Sequence, residues 1–209
     1  MALMQTEQLT PTSAIALWNI EESIEELKDQ LDLNLEDANE LDCILHEGKQ
    51  RDWLAGRITM KAVTDFFGVK YEGLKKDVNG KPYLVNSPAH VSLSHSYRYV
   101  ACIIDTQQAV GVDIELIKHK IDTMKHRFLS EEELAKVGTN VKTITEYWCG
   151  KEVLYKIYGR RGITFSKDFF IEKINSSELI GYIKTEELEV EHKIQIEKID
   201  NHIIAYNIT

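Results

Sequence analysis

The stretch Val110-Gly-Val-Asp-Ile-Glu-Leu116 decides how the second half of this chain folds. Its two acids, Asp113 and Glu115, alternate with β-branched residues, and this pattern predicts a strand with both carboxylates on one face. The residues between them then face the core, and Gly111 leaves room for a ligand beside the carboxylates. An ordinary half-buried strand with two solvated acids fits the same pattern, so its function has to be judged with its neighbours.

The segment Trp148-Cys-Gly-Lys-Glu-Val-Leu-Tyr-Lys156 predicts a helix over about residues 145–158 that ends at Gly159. Glu152 and Lys156 are four residues apart, in the favoured order for a helical ion pair, so a surface salt bridge is the ordinary interpretation. With the acids of the preceding strand, however, the chain offers three carboxylates and two ammonium groups. Carboxylates hold Mg²⁺ and ammonium groups hold phosphate oxygens, which is the minimal equipment for moving a phosphoryl-containing group.

A third segment, His90-Val-Ser-Leu-Ser-His-Ser96, predicts a strand over residues 91–95. Adjacent strand residues face opposite ways, so Ser94 and His95 are badly placed to form a nucleophile and its base. At the end of a strand both can still reach one phosphate, the hydroxyl by a hydrogen bond and the imidazolium by its charge. A lone histidine is more often structural than functional, so a phosphate-binding role for this segment is supported only in combination with the other two segments.

In this order the motifs resemble the 4′-phosphopantetheinyl transferases, in particular their monomeric, two-lobed, surfactin-synthetase-activating type. The motifs are Gly80-Lys-Pro82, Ser94-His-Ser96, Gly111-Val-Asp-Ile-Glu115 and Trp148-x-x-Lys-Glu-x-x-x-Lys156. The resemblance covers roughly residues 53–165, and its strength lies in the combination, since each motif alone is weak.

The resemblance implies an α+β fold of two similar lobes, each a small antiparallel sheet packed with helices. A pseudo-twofold relates the lobes, and the active site lies between them. We place the N-terminal lobe at residues 1–106 and the C-terminal lobe, which carries the metal-binding motifs, at residues 107–209.

The resemblance also implies a reaction, in which the phosphopantetheine arm of coenzyme A is transferred to a serine hydroxyl of an apo acyl or peptidyl carrier protein. Adenosine 3′,5′-bisphosphate is released, Mg²⁺ is the implied cofactor and coenzyme A is the substrate. The implied metal ligands are Asp113, Glu115 and Glu152. Glu152 is also the implied base for the serine proton, and Lys156 neutralises or protonates the leaving phosphate.

Further residues are implied to hold coenzyme A: Lys151 steadies the pyrophosphate, and Ser94 and His95 grip the 3′-phosphate. Five cations are additional candidates, each balanced against an ordinary solvated charge: Arg51, Arg57, Lys75, Lys76 and Lys81. In relatives the helix before the position of Arg51 carries basic residues, whereas here the corresponding residues 35–42 carry acids. Two explanations stay open: the phosphates are held by the five cations, or the affinity for coenzyme A is weaker.

The charge balance limits the partners. Lys and Arg number 25 against 34 Asp and Glu, a formal net charge of −9, and this argues against a nucleic-acid binder, which needs a basic face. The family meets its carrier, whose recognition helix is typically acidic, through the region that here reads Lys118-His-Lys120 and Lys125-His-Arg127. A solvated loop explains these charges equally well.

The cysteines and the N-terminus indicate the compartment. Cys43, Cys102 and Cys149 are odd in number and form no CxxC pair, so reduced thiols in a cytoplasm fit better than zinc or disulfides. Residues 1–12 lack the apolar core of a signal peptide, and no stretch approaches the length of a membrane span. We therefore expect a cytoplasmic protein with neither nucleic acid nor membrane as a partner, and the resemblance implies a monomer.

Two other functions fit the same residues. One is a non-catalytic module of this fold that binds coenzyme A or a carrier protein; the presence of every carboxylate and lysine of the motifs argues against it. The other is a metal-dependent hydrolase of phosphoanhydrides that uses the same carboxylates, which product analysis would separate from a transferase.

Overall fold

The computed structural model describes residues 4–208, which form an α+β molecule. The strands, in chain order, are β1 (Met4–Gln8), β2 (Ser13–Asn19), β3 (Leu74–Lys76), β4 (Pro82–Leu84), β5 (His90–Ser96), β6 (Tyr99–Asp105), β7 (Val112–Leu116), β8 (Phe169–Lys173), β9 (Glu178–Lys184), β10 (Glu189–Ile199) and β11 (His202–Ile208). The helices are α1 (Ile24–Lys28), α2 (Leu35–Asp42), α3 (Glu47–Phe66), α4 (Lys120–Met124), α5 (Glu131–Val137), α6 (Val141–Tyr158) and α7 (Phe165–Asp168), with a 3-10 turn at Lys125–Arg127.

The strands form two larger sheets and one short pair. The first sheet has the order β1-β2-β6-β5, the second has the order β7-β11-β10-β9-β8, and β3 pairs with β4. All of these pairings are antiparallel. The predicted fold class, α+β with antiparallel sheets packed against helices, is therefore confirmed. The strands of the first sheet end at Asp105 and those of the second begin at Val112, while the lobe boundary at residue 106 and the pseudo-twofold stay predictions.

Helix α3 covers one face of the first sheet. Its buried side, which includes Leu54, Met60 and Val63, packs into a core shared with Trp18 of β2 and Cys102 of β6. The apolar spacing along residues 52–67 predicts a helix there, but the helix begins five residues earlier. A histidine provides the cap, since the Nδ1 atom of His46 accepts a hydrogen bond from the Gly48 amide, and histidine is not among the usual capping residues.

Helix α6 packs in the same way on the second sheet, with Val153 and Leu154 in a core shared with Phe169 and Ile194. It begins four residues earlier than predicted, where the Asn140 side chain accepts a hydrogen bond from the Thr143 amide. Its end at Gly159, in the left-handed conformation with φ of 67°, is as expected.

Two glycines allow α6 to lie close to the sheet. A Cβ atom on Gly111 would lie 2.5 Å from the carbonyl oxygen of Val153, and one on Gly150 would lie 2.9 Å from Cδ1 of Ile171. The prediction that Gly111 leaves room for a ligand is wrong, because the backbone of α6 occupies that space. The close approach instead brings the side chains of α6 to the acids of β7.

Edge strands β5 and β7 of the two sheets face each other and are joined by serine hydroxyls. Ser92 Oγ accepts a hydrogen bond from the Val112 amide and Ser96 Oγ accepts one from the Leu116 amide, each at 3.1 Å. The two sheets also share buried apolar side chains, among them Ile103 of β6. Along residues 4–208, therefore, the two sheets meet through side chains and not through a backbone ladder.

Other differences from the predicted elements concern short or polar segments. The sequence predicts helices over residues 24–31 and 35–45, and α1 and α2 each end three residues earlier than this. It predicts no element at β1, α4 or α7. It also predicts strands over residues 169–174, 179–185, 189–197 and 202–208, and the last four strands lie close to these positions. The expectation for residues 1–12 falls partly outside the described residues. Within the described range, no helix combines the length and the apolar character that crossing a membrane requires.

Candidate active site between the two sheets

A cleft of about 380 Å³ lies where β5, β7 and α6 meet. Strand β5 and the loop before β4 supply one wall, and β7 and α6 supply the other. Six polar side chains of the motifs line it: Lys81, Ser94, His95, Asp113, Glu152 and Lys156. The structure thus brings together residues that are up to 75 positions apart in the chain, from Lys81 to Lys156.

Asp113 is the buried centre of this cleft. One carboxylate oxygen, Oδ1, accepts hydrogen bonds from Ser94 Oγ and from Lys156 Nζ, both at 2.8 Å. The other oxygen, Oδ2, is buried and has no hydrogen-bond partner among residues 4–208. Because an unpartnered buried carboxylate oxygen is costly, the site is arranged for a further donor or a cation at this atom.

Asp113 lies close enough to both glutamates to raise the pKa of each. Burial is the main cause that raises the pKa of Glu152 to about 7, and Asp113 and Glu115 add to the shift while Lys156 opposes it. Burial followed by Asp113 likewise raises the pKa of Glu115, whose Oε1 accepts a hydrogen bond from the Trp148 indole at 3.2 Å. A cation would relieve this concentration of negative charge.

The donor set fits Mg²⁺ as an open site. Within residues 4–208 no three His, Cys, Asp or Glu side chains form a ready-made metal-ligand group. Mg²⁺, however, is usually bound by one or two carboxylates together with substrate phosphates and water. The unpartnered Oδ2 of Asp113 and the neighbouring carboxyl of Glu152 match that need.

Lys156 links the strand and the helix. Its Nζ donates to the Val112 carbonyl at 2.7 Å and to Asp113 at 2.8 Å. An ammonium group has three N–H donors, so one is left for a further acceptor in the cleft. Lys81 approaches from the other wall, where its Nζ donates to the Ile157 carbonyl at 3.2 Å and burial lowers its pKa.

Lys151 does not reach the cleft, so its predicted contact with the pyrophosphate is corrected. Its side chain is completely buried, and Nζ donates to Glu133 at 2.6 Å and to the carbonyls of Phe128, Phe165 and Phe169. These four acceptors occupy all three N–H donors of the ammonium group. The residue therefore holds together α5, α6 and the segments around α7.

A second cavity of about 530 Å³ continues from the cleft along α3. Lys76, Pro82, Leu93 and His95 line both spaces, so the two form one continuous surface. Apolar walls and several cations line the second cavity: Ile44, Trp53, Lys49, Arg57, Lys75 and Lys76. Of the predicted phosphate contacts, Arg51 lines neither space and is exposed on α3.

The sequence did not single out some residues that support the site. Cys149 is a buried thiol on α6 whose pKa is raised by burial and then by Asp113 and Glu115. Ser92 and Ser96, which fix β5 against β7, share a face with Ser94. Their spacing of two residues in a strand was a signal that could have revealed this role.

The fold and the site define an enzyme class: a two-sheet α+β protein whose cleft combines carboxylates with lysines, as transfer of a phosphate-containing group requires. Residues 109–207 match the family model described as the 4′-phosphopantetheinyl transferase superfamily. The chain is similar to a 4′-phosphopantetheinyl transferase of Bacillus subtilis, with 24% identity over 168 residues, 72% of this chain and 74% of the relative. It is also similar to 4′-phosphopantetheinyl transferase Sfp of Bacillus subtilis (strain 168), with 30% identity over 133 residues, 56% of this chain and 58% of that protein.

These matches confirm the resemblance indicated by the motifs. Residues 109–207 match the 4′-phosphopantetheinyl transferase superfamily and both relatives are transferases, which supports the prediction of a transferase.

Proposed function

We propose that this protein transfers the 4′-phosphopantetheine group of coenzyme A to a serine hydroxyl of an apo acyl or peptidyl carrier protein, in a Mg²⁺-dependent reaction. The observation that carries the proposal is the meeting of Asp113, Glu152 and Lys156 in the cleft between the sheets. Asp113 and Glu152 in the cleft, with Glu115 two residues further along β7, would hold a metal, and Lys156 would hold a pyrophosphate oxygen. No protein nucleophile is needed because the carrier serine attacks directly.

Asp113, Glu115 and Glu152 would hold the metal. Bound there, Mg²⁺ would offset the charge of the three carboxylates and of the coenzyme A pyrophosphate. The hydrogen bonds from Ser94 and Lys156 to one oxygen of Asp113 fix the orientation of this carboxylate in advance.

Glu152 would act as the base. Its carboxyl lies in the cleft beside Asp113 and Lys156, where it can accept a proton from a substrate hydroxyl. It removes the proton of the carrier serine, directly or through a water molecule. The serine oxygen then forms a bond to the phosphorus attached to pantetheine, and the bond from that phosphorus to the bridging oxygen breaks. The pair of electrons leaves with adenosine 3′,5′-bisphosphate, whose new charge Lys156 neutralises.

The second cavity would hold the nucleotide part of coenzyme A. It opens directly from the cleft and combines an indole and aliphatic walls with cations, which suits a base and phosphates. His95, Lys76, Lys75 and Arg57 are the proposed contacts there, with Ser94 and Lys81 at the junction to the cleft. Arg51 remains the weakest of these proposals because of its position outside both spaces.

The carrier protein would dock beside α4. Lys118, Lys120 and Arg127 are exposed there, whereas Lys125 is paired with Asp122 at 2.8 Å. Positive charges around the cleft would speed encounter with an acidic carrier helix more than they would add affinity. Coenzyme A and the carrier would meet on a single copy of this chain, acting as a monomer in the cytoplasm.

The intact mass of several apo carrier proteins tests the proposal after incubation with this protein, coenzyme A and Mg²⁺, with a chelator in a parallel sample. A phosphopantetheine mass gain that the chelator abolishes is the expected result. Free phosphopantetheine beside an unmodified carrier would show a hydrolase instead. A mass gain that the chelator leaves unchanged would overturn the metal dependence, and no change to coenzyme A or any carrier would overturn the function.

A further inference from the structure

Two cations of the second cavity, Arg57 and Lys75, are already paired with carboxylates of the protein itself. Arg57 Nη2 lies 2.9 Å from Glu40 Oε2, and Lys75 Nζ lies 2.9 Å from Glu36 Oε2. Both acids belong to α2, the acidic helix along the rim of the cavity. The cavity thus combines the cations that a phosphate needs with the anions that repel it.

The partners of the Arg57 pair differ most in their freedom to move, whereas Lys75 is itself 46% exposed. The Arg57 side chain is only 8% exposed, and its guanidinium lies 3.3 Å from the centre of the Trp53 ring and also donates to the Leu74 carbonyl. Glu40 and Glu36 are 55% and 73% exposed. An incoming anion therefore finds the arginine in place, while the glutamates can rotate into solvent.

Helix α2 adds little resistance to such a change. Leu41 is its one buried residue among the eight, while Leu35 at its start is 80% exposed. The acids are thus carried by a helix whose packing depends on few contacts, and their main partners inside the cavity are Arg57 and Lys75. Asp37 also lies near the guanidinium, at 3.5 Å from Nε, but it is held by a hydrogen bond from Asn34.

On the basis of the proposed function, we propose that Glu36 and Glu40 compete with the nucleotide phosphates of coenzyme A for Lys75 and Arg57. The phosphates must break two ion pairs on binding, and the displaced carboxylates stay close enough to repel them. The two glutamates thereby weaken the binding of the nucleotide end of coenzyme A. The released adenosine 3′,5′-bisphosphate, which carries the same phosphates, is held weakly for the same reason.

Calorimetric titration of the full chain with adenosine 3′,5′-bisphosphate tests the competition, with coenzyme A titrated in parallel. The variants are Glu36→Gln, Glu40→Gln and the double variant, which keep the size of the side chains. We expect each single change to tighten bisphosphate binding by about threefold to tenfold, the range of one partly exposed charge pair. The gain should shrink in about 1 M salt, where charges are screened within roughly 3 Å.

Glu25→Gln is the matched control, because it removes one exposed charge from α1 and lines neither cavity. It should leave the affinity close to that of the unaltered protein. Unchanged or weaker binding by the α2 variants, with coenzyme A still bound, would overturn the competition alone. Equal tightening by the control, or a gain that persists in high salt, would also overturn it. Failure of every variant and of the unaltered protein to bind either ligand would overturn the competition and the proposed function together.

Discussion

Lys151 and Glu152 are neighbours in the sequence but serve different parts of the molecule. Successive residues of a helix point about 100° apart, so Glu152 enters the cleft while Lys151 enters the core. The resemblance implied a ligand contact for both. A motif does not specify how α6 packs, and it is this packing that directs Glu152 into the cleft and Lys151 into the core behind it.

Replacing Glu152 by Gln should slow transfer to a carrier protein by about 10²-fold to 10⁴-fold, because the proton acceptor is lost while the size of the side chain is kept. Coenzyme A binding should change much less. Carrier mass over time gives the rate, and calorimetry gives the affinity. Glu191→Gln, at an exposed position of β10, is the control and should turn over normally. Full turnover by Glu152→Gln would rule out the base role.

Replacing Lys151 by Met should lower the free energy of unfolding by about 3–5 kcal/mol, because Glu133 is left charged and buried without its partner. Urea denaturation followed by circular dichroism measures this. Lys142→Met, on the same helix, is the matched control. That lysine is 47% exposed and pairs with Glu146 at 3.4 Å, so its loss should lower the free energy of unfolding by about 1 kcal/mol at most. Equal stability of the two variants would contradict the structural role of Lys151.

At the scale of elements, the contact between α6 and β7 is what assembles the site. Asp113 comes from the strand, and Glu152 and Lys156 come from the helix. Gly111 sets their separation, because any side chain there would meet the helix backbone at Val153. A change at a residue that touches no ligand should therefore disturb the cleft.

The variant Gly111→Ala should lose about 3 kcal/mol of stability or more, since its Cβ would lie 2.5 Å from a backbone oxygen that cannot rotate away. Transfer should fall as well, because β7 and α6 must separate. Gly150→Ala is the control: its Cβ would meet the ends of the Ile171 and Leu179 side chains, which can rotate, and alanine favours the helix by about 1 kcal/mol. Thermal unfolding compares the two, and a smaller loss for Gly111→Ala would contradict the packing argument.

Elements with strong local signals were predictable, and those that depend on partners were not. The end of α6 at Gly159 and the Ser130 capping box of α5 follow from local chemistry, which a sequence displays directly. Strand β1 is a polar edge strand stabilised by pairing with β2, so its residues carry little pattern of their own. The position of Arg57 likewise depends on α2 and β3, which lie far from it in the chain.

At the scale of the whole molecule, His202 marks the junction of the two sheets. Its ring, 3% exposed, lies edge-on to Tyr99 of the first sheet with 4.9 Å between centres. Neither ring nitrogen makes a hydrogen bond of good geometry. Burial lowers its pKa, and Lys118 does so weakly, while the Ser96 backbone and Asp200 oppose the shift. The junction is therefore built for a neutral imidazole.

Acid should weaken this junction. The unfolded chain binds a proton at His202 near pH 6.5, whereas the folded chain binds it only at lower pH. Between those values the unfolded state holds more protons, so the free energy of unfolding is highest above about pH 6.5 and falls as the pH drops through the folded pKa. The variant His202→Phe should flatten this dependence in urea titrations between about pH 7 and pH 5, and His126→Gln, at an exposed site, should not. Parallel curves for His202→Phe and the unaltered protein would contradict the prediction.

The serine contacts between β5 and β7 also bear on how the protein behaves in concentrated solution. An open strand edge is a template on which a second chain can pair and start an aggregate. Each of these two edges is occupied by the other, so within residues 4–208 the open edges of the two larger sheets are β1 and β8. Both carry charged residues, Glu7 on β1 and Glu172 and Lys173 on β8, which discourage pairing. The contacts that align the cleft therefore also help to keep the protein dispersed.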